Sequence, residues 1–312
     1  MATFDPARRR AICSLAAAGA GALAWHAMPA LAEQAKILTR AIPSSGEALP
    51  VIGLGTSQTF DFDITGDANT RKAAVDTLRA FFAAGLSVID TSPMYGKAEA
   101  VLGALLAEVD PKHRAFIATK VWTTGADAGR RQIDESFRVL RRERIDLIQV
   151  HNLVDVDTQL ATLDQMKRDG RIRYVGVTSS RDPAHADLVK QIERGTLDFV
   201  QVNYSLTERA AEKTVLPAAA SNRVAVLVNR PYSRAGLFDR VKGRPLPAIA
   251  AEIGATTWAQ FALKWIVSHP AVTCAIPGTN DPKHMLDNIE AGIGTMPDAA
   301  MRVKMANAFE SI

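Results

Sequence analysis

Residues 87–96 read SVIDTSPMYG, and this stretch decides the fold class that we assign to the chain. It starts with a short apolar run, passes Asp90 and then reaches Tyr95 between a proline and a glycine. This order is typical of a buried strand that runs into a tight loop. A carboxylate at the end of a buried strand is costly unless a cation pairs with it. We therefore expect a cationic partner for Asp90 on a neighbouring strand.

Two later apolar segments supply candidates for that partner. AFIATKVW (115–122) carries Lys120 near its end, and DLIQVHN (146–152) carries His151 at the corresponding place. A single Asp, Lys or His beside a strand is usually a cap or an ordinary hydrogen-bonding residue. Ionisable residues at the ends of three successive strands, with a tyrosine in one of the loops, are instead typical of the catalytic face of an α/β barrel.

The rest of the chain repeats this alternation of strand and helix. Apolar, β-branched segments suited to strands buried on both faces lie at 51–57, 87–92, 115–121, 146–152, 172–179, 199–205, 224–231 and 272–279. Helical patterns lie at 70–84, 97–109, 129–142, 157–169, 183–194, 209–221, 247–268 and 282–291. This order predicts the α/β class, as a single-domain (β/α)8 TIM barrel over residues 33–312.

Two further features bear on the fold. Ahead of the first barrel strand, PSSG (43–46) interrupts an alternating pattern and predicts a β-hairpin, which could plug the bottom of the barrel. The alternative α/β fold, a doubly wound sheet, would need a glycine-rich turn after its first strand. GLGTSQ (53–58) does not match G-x-G-x-x-G, so we do not predict a Rossmann site.

Composition narrows the class of protein. The chain has 312 residues, of which 47% are hydrophobic, enough to fill one large core. The formal net charge is only +4, and three of the arginines lie together at 8–10, so we expect no nucleic-acid partner. Cys13 and Cys274 are the only cysteines, which leaves no disulfide framework and no zinc site.

Residues 1–32 resemble a targeting segment. The basic stretch ARRR precedes a mildly apolar run, AICSLAAAGAGALAWHAM, and Ala30-Leu31-Ala32 then offers a small-x-small cleavage site, so the mature chain would begin at Glu33. The paired arginines are typical of a twin-arginine signal, which predicts a periplasmic or otherwise exported protein without stable membrane insertion. The alternatives are an uncleaved anchor and a lipoprotein at Cys13, but the residues before Cys13 lack the expected leucine.

Six segments together resemble the aldo-keto reductase family: VIDTSPMYG, ATKVW, LIQVHN, VGVTSS, FVQVNYS and AIPGTNDPKHMLDNIEA. The resemblance covers about residues 37–292. It implies an NADP(H)-dependent oxidoreductase that needs no metal, acts as a monomer, and interconverts small aldehydes or ketones and alcohols. By similarity, the catalytic residues are Asp90, Tyr95, Lys120 and His151.

Hydride addition to a carbonyl explains why these residue types are needed. Negative charge develops on the carbonyl oxygen, so the site needs a positioned proton donor and electrostatic support. Tyr95 is a poor donor at a reference pKa of about 10, and we expect the nearby ammonium of Lys120 to lower that pKa. Asp90 would hold Lys120 charged and aimed, and a neutral His151 would orient the carbonyl oxygen.

The resemblance also implies cofactor contacts. Gly55-Thr56 matches the turn after the family's first strand, and Gln201 matches a glutamine that holds the nicotinamide amide. Thr178-Ser179 stands where the family often has Ser-Asn. After the seventh strand, many members stack a tyrosine on the nicotinamide, whereas this chain has Asn229 there. Arg230 or Tyr232 could supply a flat surface instead.

A second departure concerns the 2′-phosphate of NADP(H). Many members bind it with a lysine and an arginine, and those positions are Gly278 and His284 here. Thr279, Lys283 and the N-terminus of the following helix remain to bind it, and Asn288 lies further along that helix. We expect NADP(H), with NAD(H) as the alternative.

Substrate residues are less constrained by the sequence. Phe60, Trp122 and Asn152 lie just past strand ends, so we expect them at the mouth of the pocket. The loop after His151 is short and little chain follows the last predicted helix, which predicts an open site with loose substrate selection.

Two alternatives to an enzyme of this family are a cofactor-binding redox sensor and a barrel hydrolase, although the hydrolase would need paired carboxylates that are missing at the strand ends.

Overall fold

The computed structural model describes residues 36–312, so the predicted signal segment 1–32 lies outside the described residues. Residues 36–312 lie within one compact unit. Its centre is an eight-stranded parallel sheet with neighbouring strands in sequence order. The strands are β3 (Leu54–Gly55), β4 (Val88–Asp90), β5 (Phe116–Val121), β6 (Ile145–His151), β7 (Ile172–Thr178), β8 (Phe199–Asn203), β9 (Ala225–Asn229) and β10 (Cys274–Ala275).

The sheet closes on itself between its first and last strands. Gly53 N donates to Ala275 O over 2.8 Å, and Ala275 N donates to Val51 O over 2.9 Å. Gly55 N donates to Pro277 O over 3.0 Å and pairs with Gly278 in a parallel bridge. The predicted (β/α)8 barrel is therefore confirmed.

The predicted hairpin is also confirmed, and it closes the lower end of the barrel. Its strands are β1 (Thr39–Ala41) and β2 (Ala48–Pro50), which pair antiparallel. Ile42 and Leu49 of the hairpin are buried in one cluster with the side chains that fill the barrel interior. The turn is held from the barrel side as well, because the Tyr174 hydroxyl lies 2.8 Å from Ser45 Oγ and donates to Glu47 Oε2 over 2.6 Å.

Helices surround the barrel on the outside. They are α1 (Ala68–Ala83), α2 (Ala98–Val109), α3 (Ala126–Leu140), α4 (Val156–Arg168), α5 (His185–Glu193), α6 (Val215–Ser221), α7 (Gly236–Val241), α8 (Trp258–Val267), α9 (Pro282–Glu290) and α10 (Ala299–Glu310). Helix α3 shows why they form: Ile133, Ser136, Phe137 and Leu140 share one buried face at helical spacing, and its charged residues lie opposite. No described helix is long and apolar enough to cross a membrane.

Two helix predictions were wrong in detail, and two helices had not been predicted. The segment 247–268 is not one helix, because Gly254 has a left-handed backbone (φ 64°) that ends a 3-10 turn, and Thr257 then caps α8 by accepting from Gln260 N. The segment 209–221 likewise splits, into a 3-10 turn and α6. Helices α7 and α10 were not predicted, and α10 lies in the segment that follows the last predicted helix.

Candidate active site

The carboxyl ends of the barrel strands converge on one cavity of about 560 Å³. This volume lies within the usual range for sites that bind small molecules and cofactors. Its wall includes side chains from β4, β6, β7, β8 and β9 and from the loops that follow β3, β4 and β9. The residues that line it and carry the argument below are Gly55, Asp90, Tyr95, His151, Thr178, Gln201, Asn229, Arg230, Tyr232, Arg234 and Gly278.

The predicted partner of Asp90 is Lys120, on the adjacent strand β5. Lys120 Nζ lies 2.7 Å from Asp90 Oδ1 and 2.8 Å from Asp90 Oδ2, and it also donates to Thr91 O over 2.7 Å. Both side chains are buried, with exposed fractions of 1% and 3%. Burial alone would lower the pKa of Lys120, but the charges of Asp90 and Tyr95 outweigh it and the pKa is raised. Lys120 is therefore a buried, permanently charged ammonium at neutral pH.

Tyr95 lies directly above this ammonium. Lys120 Nζ is 4.9 Å from the centroid of the Tyr95 ring, and Tyr95 lines the cavity. Burial raises the pKa of Tyr95, and this effect outweighs the lowering by Lys120. The predicted net lowering was therefore wrong, because the prediction left out the burial of the phenol. A raised pKa keeps the hydroxyl protonated at neutral pH, which is the form that a proton donor needs.

His151 faces Tyr95 across the cavity. The two rings meet edge to face, with their centroids 6.4 Å apart and an interplanar angle of 88°. Burial, and then the charge of Lys120, lower the pKa of His151 to about 4, so the ring is neutral at pH 7, as expected. Its Nδ1 atom is buried and has no hydrogen-bond partner among the described residues.

The residues predicted to bind the nicotinamide amide lie beside the Asp90 carboxylate. Gln201 Nε2 donates to Asp90 Oδ2 over 2.8 Å, and Gln201 Oε1 accepts from Thr178 Oγ1 over 3.0 Å. Asn229 Nδ2 donates to Gln201 Oε1 and to Ser179 O, both over 3.3 Å. Gln201 is thus already tied to Asp90, a link that the sequence did not reveal.

The residues at this end of the barrel fit a nicotinamide dinucleotide. Ser179 Oγ and Asn229 Oδ1 are buried side-chain atoms without a partner among residues 36–312. Asn229 lines the cavity and Ser179 directly follows Thr178 of the cavity wall, so a carboxamide could satisfy these atoms. Gly55 lines the cavity, and a Cβ atom there would lie 2.8 Å from Ile276 O, so glycine is needed where β3 approaches the backbone that follows β10. Thr56 is buried behind it and donates from N and Oγ1 to Asp90 O, each over 3.0 Å.

The residues predicted to bind the 2′-phosphate lie outside this cavity. Lys283 and His284 are exposed on α9, at the surface beyond the cavity wall. Thr279 Oγ1 accepts from Asp281 N over 3.0 Å, and the Asp281 carboxylate accepts from Lys283 N over 2.7 Å. A negative side chain therefore already occupies the N-terminus of α9, where the sequence predicted a free phosphate site.

Tyr232 and Asn288 are engaged with each other. The Tyr232 hydroxyl donates to Asn288 Oδ1 over 2.5 Å, and the ring of Tyr232 packs 5.0 Å from that of Phe238. This bond ties the loop after β9 to α9. The hydroxyl of Tyr232 is therefore engaged by α9, although Tyr232 still lines the cavity.

The three residues predicted to contact the substrate lie in different surroundings. Phe60 is fully buried in the hydrophobic core and does not lie at the pocket mouth, which corrects that prediction. Asn152 has a left-handed backbone (φ 54°) and donates from N to Thr178 O over 2.7 Å, and it is not part of the cavity wall. Trp122 is 44% exposed, and its ring lies 6.1 Å from that of His151. None of the three lines the cavity, and Trp122 is the one whose ring lies near that of His151.

Several residues of the cavity wall were missed, and Arg234 is the charged one among them. Arg234 lies in the loop after β9 and lines the cavity, although its sequence position showed neither a strand end nor a motif. The only usable signal was the second arginine in NRPYSRAG (229–236), four residues after Arg230.

Comparisons with known proteins agree with this geometry. Residues 51–302 match the model of the Aldo/keto reductase family. Methylglyoxal reductase YeaE of Escherichia coli (strain K12) is 31% identical over 258 residues, which cover 79% of this chain and 87% of that protein.

Two solved aldo-keto reductases from Klebsiella pneumoniae also resemble it. One, in complex with NADP and acetate, is 26% identical with a TM-score of 0.72 and covers 85% of this chain and 93% of its own. The other, in complex with NADPH, is 25% identical with a TM-score of 0.73 and covers 88% and 95%. With its barrel, its cavity and its sequence in agreement, the chain belongs to the aldo/keto reductase family.

Proposed function

We propose that the protein reduces aldehydes or ketones to alcohols with NADPH and catalyses the reverse oxidation with NADP+. The observation that carries this proposal is the buried Asp90–Lys120 pair beneath Tyr95, with a neutral His151 across the cavity. A binding sensor has no need of a complete proton-donating group, so the arrangement favours an enzyme that turns over.

Each side chain has a distinct part in this mechanism. When bound, the nicotinamide supplies or accepts the hydride. Tyr95 gives its hydroxyl proton to the carbonyl oxygen as negative charge develops there. Lys120 stabilises the resulting phenolate, since it is a buried cation 4.9 Å from the ring centroid. The neutral imidazole of His151 donates one N–H to the same oxygen and so orients the substrate.

The cofactor proposal rests on the cavity and on the two relatives whose structures contain NADP or NADPH. Asn229 and Ser179 would hold the carboxamide through their unpartnered oxygens, while Thr178 and Gln201 support Asn229 and Asp90. Thr279, Lys283 and His284 remain the candidates for the 2′-phosphate. We expect the substrate to be a small carbonyl compound, because the catalytic side chains line an open cavity.

The cellular location of this activity is a separate proposal, which rests on the sequence. ARRR at 7–10, the apolar run that follows and the Ala30-Leu31-Ala32 site support export by a twin-arginine route and cleavage before Glu33. Every catalytic candidate comes from one chain, so the proposed activity needs no residue from a second subunit.

A direct assay tests the function. The purified protein is mixed with NADPH and a panel of aldehydes and ketones, and oxidation of the cofactor is followed by absorbance. We expect turnover with several members of the panel. An absence of turnover with tight NADPH binding would favour the redox-sensor alternative, and an absence of both would contradict the proposal.

A further inference from the structure

The residues that line the cavity carry more positive than negative charge. Asp90 is the one acidic residue among the described residues that line it, and Lys120 neutralises that charge. Arg230 and Arg234 line the same cavity. Within residues 36–312, neither guanidinium forms a salt bridge or a side-chain hydrogen bond. The cavity therefore carries two uncompensated positive charges, and such a surface attracts anions.

The loop 230–235 holds these two arginines in a fixed and unusual conformation. Arg230, Ser233 and Arg234 have left-handed backbones, with φ of 48°, 49° and 63°. A non-glycine residue in this region costs on the order of 1 kcal/mol or more, and such strain clusters at functional sites. The bond from Tyr232 to Asn288 and a bond of 2.7 Å between the hydroxyls of Ser205 and Ser233 hold the loop in place.

The two arginines are not equivalent. Arg230 is half-buried, and its charge is close enough to Tyr95 to lower the pKa of the phenol. Arg234 is exposed, and its charge acts on Arg230, whose pKa is lowered by burial and by this repulsion. Glu208 is the acidic group whose charge reaches Arg230, but its carboxylate already accepts from Asn203 Nδ2 over 3.3 Å. Both arginines line the cavity, where Arg230 is half-buried and Arg234 is exposed.

We propose that Arg230 binds a negatively charged group of the substrate, so that the preferred substrates are carbonyl compounds that also bear a carboxylate or a phosphate. The inference rests on the proposed function, because it assumes that the carbonyl lies against Tyr95. A cofactor diphosphate is the other anion that this cavity could receive, and Arg234, which is exposed, is the residue that we assign to it. Arginine suits both tasks because its planar fork pairs with carboxylate and phosphate oxygens.

The test compares acids with their own neutral esters. The 2-, 3- and 4-carboxybenzaldehydes are assayed beside the matching methyl esters at saturating NADPH, and the acid-to-ester ratio of kcat/KM is taken for each isomer. In the wild-type protein we expect at least one isomer to be preferred strongly as the acid. In Arg230→Gln and Arg230→Met, that ratio should fall by roughly tenfold to a hundredfold, the range for loss of a charge-assisted contact.

One control variant and one binding measurement distinguish an anionic group of the substrate from the diphosphate of the cofactor. Arg181→Gln removes an exposed arginine that follows β7 at the same end of the barrel but does not line the cavity, and its ratio should stay at the wild-type value. The Kd of NADPH is measured by protein fluorescence in all variants, and we expect Arg234→Gln to weaken it most.

The outcomes are distinct. An unchanged ratio in both Arg230 variants would overturn the inference, and a tenfold weaker NADPH affinity alongside it would assign Arg230 to the cofactor instead. In either case, continued reduction of the esters would leave the proposed function standing. If the wild-type protein reduced neither acid nor ester, the proposed function itself would fail.

Discussion

Gln201 Nε2 donates to Asp90 Oδ2 over 2.8 Å, and the same oxygen lies 2.8 Å from Lys120 Nζ. Strands β4 and β8, which carry Asp90 and Gln201, lie on opposite sides of the eight-stranded barrel. The carboxylate is therefore held from two directions across the barrel interior. This double support fixes the ammonium of Lys120 beneath Tyr95, where the chemistry needs it.

The first prediction concerns the buried ion pair. Asp90→Asn leaves Lys120 buried without its counter-charge, so we expect a loss of about 3 to 5 kcal/mol in the free energy of unfolding. The double variant Asp90→Asn/Lys120→Met removes both charges and should recover most of that loss while remaining inactive. Urea denaturation measures both. Equal destabilisation of the single and double variants would contradict an unpaired charge as the cause.

The second prediction concerns the pH dependence of stability. His151 has a pKa of about 4 in the folded protein against about 6.5 in an unfolded chain, so the unfolded state binds more protons between these values. Stability should therefore fall as the pH drops from 6.5 to 4, by on the order of 3 kcal/mol from this group, with no contribution above pH 7.

Replacing the histidine isolates that contribution. In His151→Gln, the free energy of unfolding should depend less steeply on pH between 6.5 and 4.5 than in the wild-type protein. The matched variant His284→Gln removes an exposed histidine from α9. Equal slopes in the two variants would show that His151 does not titrate as described.

The third prediction concerns cofactor choice. Lys283 and hydrogen bonds at the start of α9 should favour NADP(H) over NAD(H) by about 1 to 3 kcal/mol, or roughly tenfold to a hundredfold. The Asp281 carboxylate, which accepts from Lys283 N over 2.7 Å, should keep the preference near the lower value. Asp281→Asn keeps a good helix cap and removes the charge, so the preference should increase.

Fluorescence titration of both cofactors at pH 6 and pH 8 measures this preference. Equal affinities for the two cofactors in the wild-type protein and in Asp281→Asn would mean that the 2′-phosphate is not recognised at α9.

Much of the site could be predicted because parallel strands end at one face of a barrel. Asp90, Lys120 and His151 could be placed together from strand positions alone, and the structure brings them together. Phe60 and Arg234 could not be placed, since both lie in loops whose course depends on packing rather than on periodicity. The break at Gly254 was missed because one glycine within an apolar helical pattern is often tolerated.

The direction of the Tyr95 pKa was missed for a related reason. The sequence shows which charges are near one another, but burial is a property of the packed structure. Here burial outweighs the attraction of Lys120. The link from Gln201 to Asp90 spans 111 residues and is invisible to any local pattern.

The fourth prediction concerns the N-terminus, which lies outside the described residues. Protein isolated from its native host should begin at Glu33, because Ala30-Leu31-Ala32 ends the predicted signal. Arg9→Lys together with Arg10→Lys should leave precursor in the cytoplasm. Mass spectrometry and cell fractionation test the two parts. An intact Met1 in the exported protein, or unaffected export of the double variant, would contradict the corresponding part.

The most direct test of the central claim is the rate of NADPH oxidation in Tyr95→Phe with a saturating carbonyl substrate. The change removes only the hydroxyl, so we expect the rate to fall by about a hundredfold to ten-thousandfold, the range for loss of a general acid, while the Kd of NADPH changes little. Folding is checked by circular dichroism. A variant that binds NADPH and reduces the carbonyl at close to the wild-type rate would show that Tyr95 is not the proton donor.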